Sequence, residues 1–374
     1  PISQTPNPKP QTPNPKPQNR IIRMSLHSLR KVPLEFIKNM PKVELHAHLS
    51  ASLPRDKFQQ FLRTKGMSDD LSFIDSAQTN EEIFRGVFGR LGKAIEGRKD
   101  LTEISNIVYE AFEDDNTRYM EVRATPKALS DGSSSVTYVE SILDSISQWT
   151  GTQSSKHLSR PKMTIRYMIS LNRAYPPEHY YSLLRQIKSD PAWSRYITGL
   201  DYSGDPWMRD ITSFRQCIEM AREAGLGVSI HTAELPEQAQ ETPRILSFNP
   251  ERIGHFIYYT EEEFQQVKER GILVEACPTS NLVTSPGMNL MSHPISELVD
   301  RGLRVSICTD DRLIFNKSLS EEIHMVTECF GYGTTFLEKM VKDSINSAFL
   351  HPSDKPSIQN RLLAEVDAYF SNNK

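Results

Sequence analysis

The chain has 374 residues, of which 24% are charged and 37% hydrophobic, and its formal net charge is −3. These values exclude the strongly basic surface of a protein that binds a nucleic acid polymer, and no run of about eighteen apolar residues predicts a membrane span. A small-molecule partner is therefore the interpretation we favour. The four cysteines lie far apart without a C-x-x-C pair, which is typical of reduced thiols in a cytoplasmic protein.

The N-terminal stretch is rich in proline and contains a repeat. QTPNPKP at residues 4–10 recurs at residues 11–17. So much proline favours an extended or disordered segment over a packed one. We therefore predict a disordered tail over residues 1–23 and a single folded domain over residues 24–374, with Met24 as a candidate natural start.

Short runs typical of buried strands recur along the rest of the chain, separated by helical patterns. This alternation predicts βαβ units and a parallel sheet, and eight such units predict a closed α/β barrel of the TIM (β/α)8 type. An open dinucleotide-binding sheet is the lesser alternative, because no G-x-G-x-x-G follows the first strand. The predicted strands are KVELHAHL (42–49), RYMEVRAT (118–125), MTIRYMISL (163–171), YITGLDYS (196–203), LGVSIHTAE (226–234), RIGHF (252–256), ILVEACPTS (272–280) and RVSICTDD (304–311).

We make further predictions for two segments that lie outside this alternation, one after the first strand and one at the C-terminal end. Residues 53–117 exceed an ordinary connection and predict extra helices after the first strand that cover the barrel mouth. Within it, Phe58, Phe61 and Leu62 could form an apolar lid or pack in the core. The segment from residue 317 onward predicts the last helices, with Glu321, Glu322 and His324 on a surface face.

Polar residues collect at the carboxyl ends of the predicted strands, where TIM barrels carry their functional groups. His46 and His48 leave the same face of the first strand, while His231 and Asp310 end the fifth and eighth strands. Three imidazoles and a carboxylate suit a divalent metal with an open position for water, and zinc, one ion per chain, is the metal we expect. Taken singly, His231 could be a core histidine and Asp310 a helix N-cap.

Three neighbouring residues suit hydrolytic chemistry at such a metal, which lowers the pKa of bound water toward neutrality. His255, at the end of the sixth strand, could hold or deprotonate this water. Glu234 follows His231 by three residues, a position that suits a carboxyl group shuttling a proton to the substrate. Asp311 could accept a hydrogen bond from the substrate, or could be a solvated turn residue.

Seven motifs, in order across residues 41–315, resemble the adenosine/AMP deaminase family and, more closely, its adenosine deaminase-like branch. They are PKVELHAHL, GLDYSGDP, SIHTAE, RIGHF, CPTSN, HPI (293–295) and CTDDRLIF. The resemblance implies an enzyme: a single zinc-dependent deaminase barrel that hydrolyses a 6-aminopurine. By this resemblance His46, His48, His231 and Asp310 are zinc ligands, Glu234 protonates purine N1, His255 orients the hydroxide, Asp311 bonds N7 and the backbone of Gly204 reaches N3.

The residues after the first histidines bear on which purine is bound. Nucleoside-specific members of the family carry an acidic residue where this chain has Ser50, and an aspartate there would repel a 5′-phosphate. Ser50 and Ser52 offer uncharged hydroxyl groups, so we expect a nucleoside monophosphate. The branch resembles enzymes that hydrolyse N6-methyl-AMP to IMP and methylamine, although it usually has asparagine and glycine where this chain has Ser50 and Ala51.

Further substrate contacts are expected at the second and fourth strand ends. Arg123, Thr125 and Lys127 could supply the countercharge for the phosphate, although Arg123 could instead pair with a carboxylate at the barrel mouth. Asp201, His48 and Gly204 complete the predicted substrate contacts. We expect a monomer. The alternative functions are an adenosine deaminase and a non-catalytic nucleotide-binding barrel, and the intact Glu234 disfavours the latter.

Overall fold

Eight parallel strands form the centre of the structure, a computed structural model that describes residues 31–77, 79–151 and 162–373. Each strand pairs with the next one along the chain, in the order β1 to β8. All eight predicted strands are confirmed. Their bounds are β1 Lys42–His48, β2 Thr117–Ala124, β3 Thr164–Asn172, β4 Ile197–Ser203, β5 Gly227–Thr232, β6 Arg252–His255, β7 Leu273–Ala276 and β8 Arg304–Ile307.

The sheet approaches closure at the seam between β1 and the residues that follow β8. The backbone N–H of Asp310 donates to the carbonyl of His46 at 2.8 Å, and the N–H of His48 donates to the carbonyl of Asp310 at 3.2 Å. The buried Glu44 carboxylate accepts hydrogen bonds from the backbone N–H and the hydroxyl of Thr309, at 3.0 and 2.9 Å. A side chain thus assists the backbone in closing a TIM barrel at this seam.

Helices surround the barrel, and those between β1 and β2 confirm the predicted extra helices. A π-helical turn, Glu82–Val87, lies among them, and 3₁₀ turns occur at Leu49–Ala51, Ile211–Phe214, Pro236–Glu241 and Leu290–Ser292. The α-helices are α1 Leu34–Asn39, α2 Arg55–Thr64, α3 Ser72–Asp75, α4 Phe88–Lys93, α5 Arg98–Asp114, α6 Ser135–Gly151, α7 Glu178–Ser189, α8 Pro191–Tyr196, α9 Arg215–Glu223, α10 Thr242–Ser247, α11 Glu261–Glu269, α12 Pro278–Thr284, α13 Ile295–Asp300, α14 Arg312–Phe315, α15 Leu319–Phe330, α16 Thr334–Ser347 and α17 Lys355–Asn372.

The structure also tests the predictions made for the segment after β1 and for the C-terminal helices, and it confirms only some of them. Phe58, Phe61 and Leu62 are buried in the hydrophobic core, which favours the packing role over the lid. Glu321 is exposed, but the surface position predicted for Glu322 is wrong, because its side chain is buried. The predicted tail, residues 1–23, lies outside the described residues. None of the described helices has both the length and the apolar character that crossing a membrane requires.

The barrel interior holds a network of buried charges. Arg252 donates to Glu275 at 2.6 Å and also pairs with Glu121, while Arg123 donates to Glu275 at 2.8 Å and to Asp201 at 2.9 Å. Isolated charges would be costly inside a protein, so these groups depend on one another. The network connects side chains of β2, β4, β6 and β7, strands that are distant in sequence, and holds these side chains in place.

Phe349, in the loop after α16, packs against this network near the amino-terminal ends of β4 and β5. Its ring centroid lies 3.6 Å from the Arg252 guanidinium. The ring occupies the space in front of Gly199 and Gly227, and a Cβ atom added at Gly227 would overlap it. Both glycines therefore leave room for the aromatic ring beneath the charges.

Replacing Gly227 by alanine tests this packing. We expect Gly227→Ala to lower the free energy of unfolding by about 1–3 kcal/mol, because the Phe349 ring must shift to admit the new methyl group. Urea unfolding of the metal-loaded protein measures the change. Gly89→Ala, in α4, is the matched control, because a Cβ there meets nothing within 4 Å. A Gly227→Ala protein as stable as the control would contradict the packing account.

Candidate active site

A cavity of about 460 Å³ opens at the carboxyl ends of the strands. Its floor contains His48, His231, His255 and Asp310, and its rim includes Phe84 and other residues from the segment between β1 and β2. The barrel therefore places this opening where the sequence analysis expects function, and the extra helices contribute to its wall.

Four predicted metal ligands converge on one point in the floor. His46 Nε2 and His48 Nε2 lie 3.1 and 3.2 Å from His231 Nε2, and an Asp310 carboxylate oxygen lies 3.5 and 3.4 Å from the first two nitrogens. Ligand atoms bound tetrahedrally to zinc at about 2.05 Å would be separated by roughly 3.3 Å. The donor set and its spacing therefore fit a zinc ion.

Carboxylates behind the histidines fix the direction of two rings. His46 Nδ1 lies 2.8 Å from a Glu275 oxygen, and His231 Nδ1 lies 3.0 Å from an Asp201 oxygen. An Nδ1–H that donates to a carboxylate leaves the Nε2 lone pair to face the shared point, as in many protein metal sites. Glu275 and Asp201 thus orient donor atoms without themselves reaching the centre.

The protonation of the cluster also fits a cation. Burial lowers the pKa of His48 to about 3, so its imidazole is neutral. Burial and the charge of Arg123 act to lower the pKa of His46, but hydrogen bonds to Asp310 and Glu275 outweigh them and raise it to about 9. A positive charge is therefore favourable at this point, and a metal ion can take the place of the proton.

Unusual backbone conformations turn residues inward at the strand ends. Asp310, His255 and Ala233 have φ values of 58°, 64° and 47°, in the left-handed region that such residues seldom adopt. Strained positions of this kind are concentrated at functional sites. Gly254 also leaves room for the His46 ring, because a Cβ atom there would lie 2.8 Å from Cε1 of His46.

Two carboxyl groups line the cavity beside the histidine cluster. Burial, with a contribution from the charge of Asp310, raises the pKa of Glu234 to about 8, and Glu234 lies 3.8 Å from His255 Nε2. Burial and the same neighbouring charge raise the pKa of Asp311 well above its ordinary value. Asp311 Oδ1 is buried and has no hydrogen-bond partner in the described part of the chain. A ligand in the cavity can meet both groups.

Three residues predicted to contact substrate have their polar groups engaged by other protein groups; Asp201 and Ser52 do not line the cavity, whereas Arg123 does. Arg123 is fully buried and paired with Asp201 and Glu275, so of the two alternatives the structure has the ion pair with carboxylates of the barrel. Asp201 is equally buried, and its oxygens are taken by Arg123, His231 and Ser170. Ser52 is buried too, and its hydroxyl donates to the His48 carbonyl at 2.8 Å. These three residues support the site from behind.

The remaining predicted substrate residues line the cavity, as Arg123 does. Ser50, Thr125, Lys127 and Gly204 all contribute to its wall, as does His48. Gly204 has a φ of 102°, and a Cβ atom there would lie 2.7 Å from the Asn172 side chain. Its backbone is therefore open to the cavity without a side chain in between.

Sequence reasoning missed several residues that support the site. Glu275 is a charged residue in the middle of an apolar strand, which is the signal that could have identified it. The Glu322 carboxylate accepts a hydrogen bond from the backbone N–H of Thr279 at 3.2 Å, and burial raises its pKa to about 7. Glu322 thereby holds the start of α12, which carries Asn281 toward His255.

Comparisons with known proteins identify the family. The model of the family described as "Adenosine deaminase" matches residues 41–369. The chain is 28% identical to the N6-mAMP deaminase of Arabidopsis thaliana, with 87% of this chain and 97% of that protein covered. It is also 28% identical to the N6-methyl-AMP deaminase of Homo sapiens, with 87% and 94% covered.

A solved structure gives the same result for the fold. The structure of Arabidopsis ADAL complexed with IMP superposes with a TM-score of 0.79 at 25% identity, covering 90% of this chain and 99% of that one. The resemblance inferred from the seven motifs is thereby confirmed. With a family match over most of its length, the chain belongs to the adenosine deaminase family.

Proposed function

We propose that this protein hydrolyses N6-methyl-AMP to IMP and methylamine with one zinc ion per chain. The convergence of three imidazoles and a carboxylate beside Glu234 is the observation that carries the proposal. The names of the Arabidopsis and human relatives, and the IMP bound in the Arabidopsis structure, support the choice of substrate. A monomeric, cytoplasmic enzyme is part of the same proposal.

His46, His48, His231 and Asp310 would hold the metal. When bound, zinc lowers the pKa of a water molecule toward 7 and so supplies a nucleophile at neutral pH. The cluster leaves the cavity side open, since His48 retains 21% exposure of its side chain while His46 is fully buried. The purine would therefore enter from the side on which Glu234 and His255 lie.

Glu234 would donate a proton to purine N1. This protonation weakens the aromatic stabilisation of the N1–C6 bond, so that water can add at C6. Of the two protons that the water loses, one goes to the amine, which leaves as methylamine, and the other restores the Glu234 carboxyl group. Burial favours the protonated carboxyl group, which is the form that this role needs. The raised pKa of Asp311 favours a protonated carboxyl group, which would donate a hydrogen bond to N7, and the backbone N–H of Gly204 would donate to N3.

Lys127 is the residue we assign to the 5′-phosphate, in place of Arg123. It is half-buried in the cavity wall, and its ammonium group has no carboxylate partner among the residues described in the structure. Burial lowers its pKa, which indicates a cation that a ligand anion would stabilise. Thr125 and Ser50 add hydroxyl groups along the same wall. Since Ser50 is uncharged, it does not repel a phosphate.

Comparing four substrates tests the proposal directly. We expect N6-methyl-AMP and AMP to be hydrolysed with a higher kcat/KM than N6-methyladenosine and adenosine, because the phosphate gains a charge-assisted hydrogen bond from Lys127. We expect N6-methyl-AMP to be the faster of the two nucleotides, in line with the names of the Arabidopsis and human relatives. Release of methylamine or ammonia and formation of IMP or inosine measure the reaction. Faster turnover of the two nucleosides would favour an adenosine deaminase, and binding without turnover would favour the non-catalytic alternative.

The Lys127→Met variant serves as the control for the phosphate contact in this comparison. Losing a hydrogen bond to a charged group costs about 1.5–3 kcal/mol, so kcat/KM for N6-methyl-AMP should fall roughly 10- to 100-fold. Hydrolysis of N6-methyladenosine should change little. Lys99→Met, at an exposed position in α5, is the matched variant and should leave all four rates unchanged. An equal loss for nucleotide and nucleoside would remove Lys127 from the phosphate site.

Replacing Glu234 by glutamine separates proton transfer from metal binding. We expect Glu234→Gln to retain its zinc and to lose about 10²- to 10⁴-fold in kcat, since a carboxamide cannot supply the proton. Metal analysis and steady-state kinetics give the two values. Glu237→Gln, three residues further on and exposed, is the control for the same chemical change. Near-normal turnover by Glu234→Gln would refute the proton-donor role.

A further inference from the structure

His293, in the HPI motif, lies outside the cavity wall but is connected to it by hydrogen bonds. Its side chain is buried, and its Nδ1 atom accepts a hydrogen bond from the backbone N–H of Ile295 at 3.0 Å. A backbone N–H can only donate. Nδ1 of His293 therefore carries no proton, and the single proton of the neutral ring is on Nε2. Burial lowers the pKa of His293 to about 4, in agreement with a neutral ring.

The direction of the next two hydrogen bonds follows from this first one. His293 Nε2 lies 3.2 Å from Oδ1 of Asn281, so the ring donates to the amide oxygen. The amide nitrogen of Asn281 lies 3.0 Å from His255 Nδ1. Because an amide nitrogen is a donor, His255 Nδ1 must accept. The proton of a neutral His255 ring is then on Nε2.

This Nε2–H points into the active site. His255 Nε2 is buried and has no hydrogen-bond partner among the described residues. Its nearest charged neighbours are Glu234, at 3.8 Å, and Asp310, at 4.0 Å. The ring centroid lies 5.1 Å from that of His46 and 5.2 Å from that of His231. His255 thus presents one unused donor beside the point where the metal ligands meet.

We propose that His293 and Asn281 are positioning residues that hold His255 in its Nε2–H tautomer, so that it donates a hydrogen bond to the attacking oxygen. The inference rests on the proposed function and selects between the two roles considered for His255. A ring whose Nε2 already carries the proton can hold the attacking oxygen by donation but cannot accept a proton from it at that atom. The hydrogen bonds from His293 through Asn281 to His255 therefore give the HPI motif a function.

Nitrogen NMR on the unaltered, zinc-loaded protein tests the tautomer without any substrate. Long-range ¹H–¹⁵N correlations of ¹⁵N-histidine-labelled protein distinguish an Nε2–H ring from an Nδ1–H ring. The His255 signals are assigned as those lost in His255→Asn, since asparagine tolerates a positive φ better than most residues. We expect His255 and His293 both to be protonated at Nε2. An Nδ1–H pattern for His255 would overturn the proposal.

The Asn281→Asp variant tests whether the tautomer matters for the reaction. A carboxylate can still accept from His293, but it cannot donate to His255 Nδ1, so a neutral His255 ring must carry its proton on Nδ1, and the NMR experiment distinguishes this ring from a doubly protonated one. We expect kcat to fall by up to about 10⁴-fold, the loss caused by holding a catalytic histidine in the wrong tautomer. The KM and the zinc content should stay close to the original values, and the NMR pattern of His255 should change.

Asn289→Asp provides the matched control, because Asn289 is exposed and its side-chain oxygen caps a 3₁₀ turn, a role that aspartate can also fill. If Asn281 has only a structural role, Asn281→Asp will retain its kcat, and that result would overturn the proposal. The two proposals also fail separately. A protein with the expected tautomer but no deaminase activity would refute only the proposed function, whereas an active enzyme with the opposite tautomer would refute only this inference.

Discussion

The approach of three imidazole nitrogens and one carboxylate to a single point is the interaction on which the rest of the structure depends. His46 and His48 come from β1, His231 from β5, and Asp310 from the turn after β8. They meet only because the barrel nearly closes at the β1–β8 seam, where the backbones of His46, His48 and Asp310 exchange hydrogen bonds. The same bonds that close the barrel therefore also set the distances between these four groups. A shift at this seam would alter fold and site together.

Behind the three histidines and Asp310, the barrel interior contains buried charged side chains. Each of these charges needs a partner of opposite sign. Arg123 and Arg252 share Glu275, and Arg123 also binds Asp201. Each of these carboxylates has a second task, because Glu275 orients His46 and Asp201 orients His231. The arginines keep both acids ionised in a buried setting, and the pKa of each carboxyl group lies well below its ordinary value for that reason, despite the opposing effect of burial. The supporting network thus links the core of the barrel to the direction of the His46 and His231 rings.

The architecture and most of the reactive groups could be predicted from the sequence, because both depend on local patterns. Strands appear as short apolar runs, and TIM barrels collect function at the strand ends, so the sequence alone groups His46, His48, His231 and Asp310. The supporting residues could not, because their partners are distant in sequence. Arg123 and Glu275 are separated by 152 residues, and nothing local to either one indicates the other. For the same reason the sequence predicts a substrate contact for Asp201 and leaves two alternatives open for Arg123, although both residues lie in the network behind the histidines. Glu322 was misplaced because a buried glutamate within a helix resembles a solvated one unless its acceptor role is known.

Whether the four groups bind one metal ion can be measured most directly by anomalous scattering. Crystals of the protein purified with zinc, measured on both sides of the zinc absorption edge, should give one peak per chain within about 2.0–2.2 Å of Nε2 of His46, His48 and His231 and of a carboxylate oxygen of Asp310. A zinc peak held by other residues, or a protein that turns over its substrate with no peak at this point, would contradict the account.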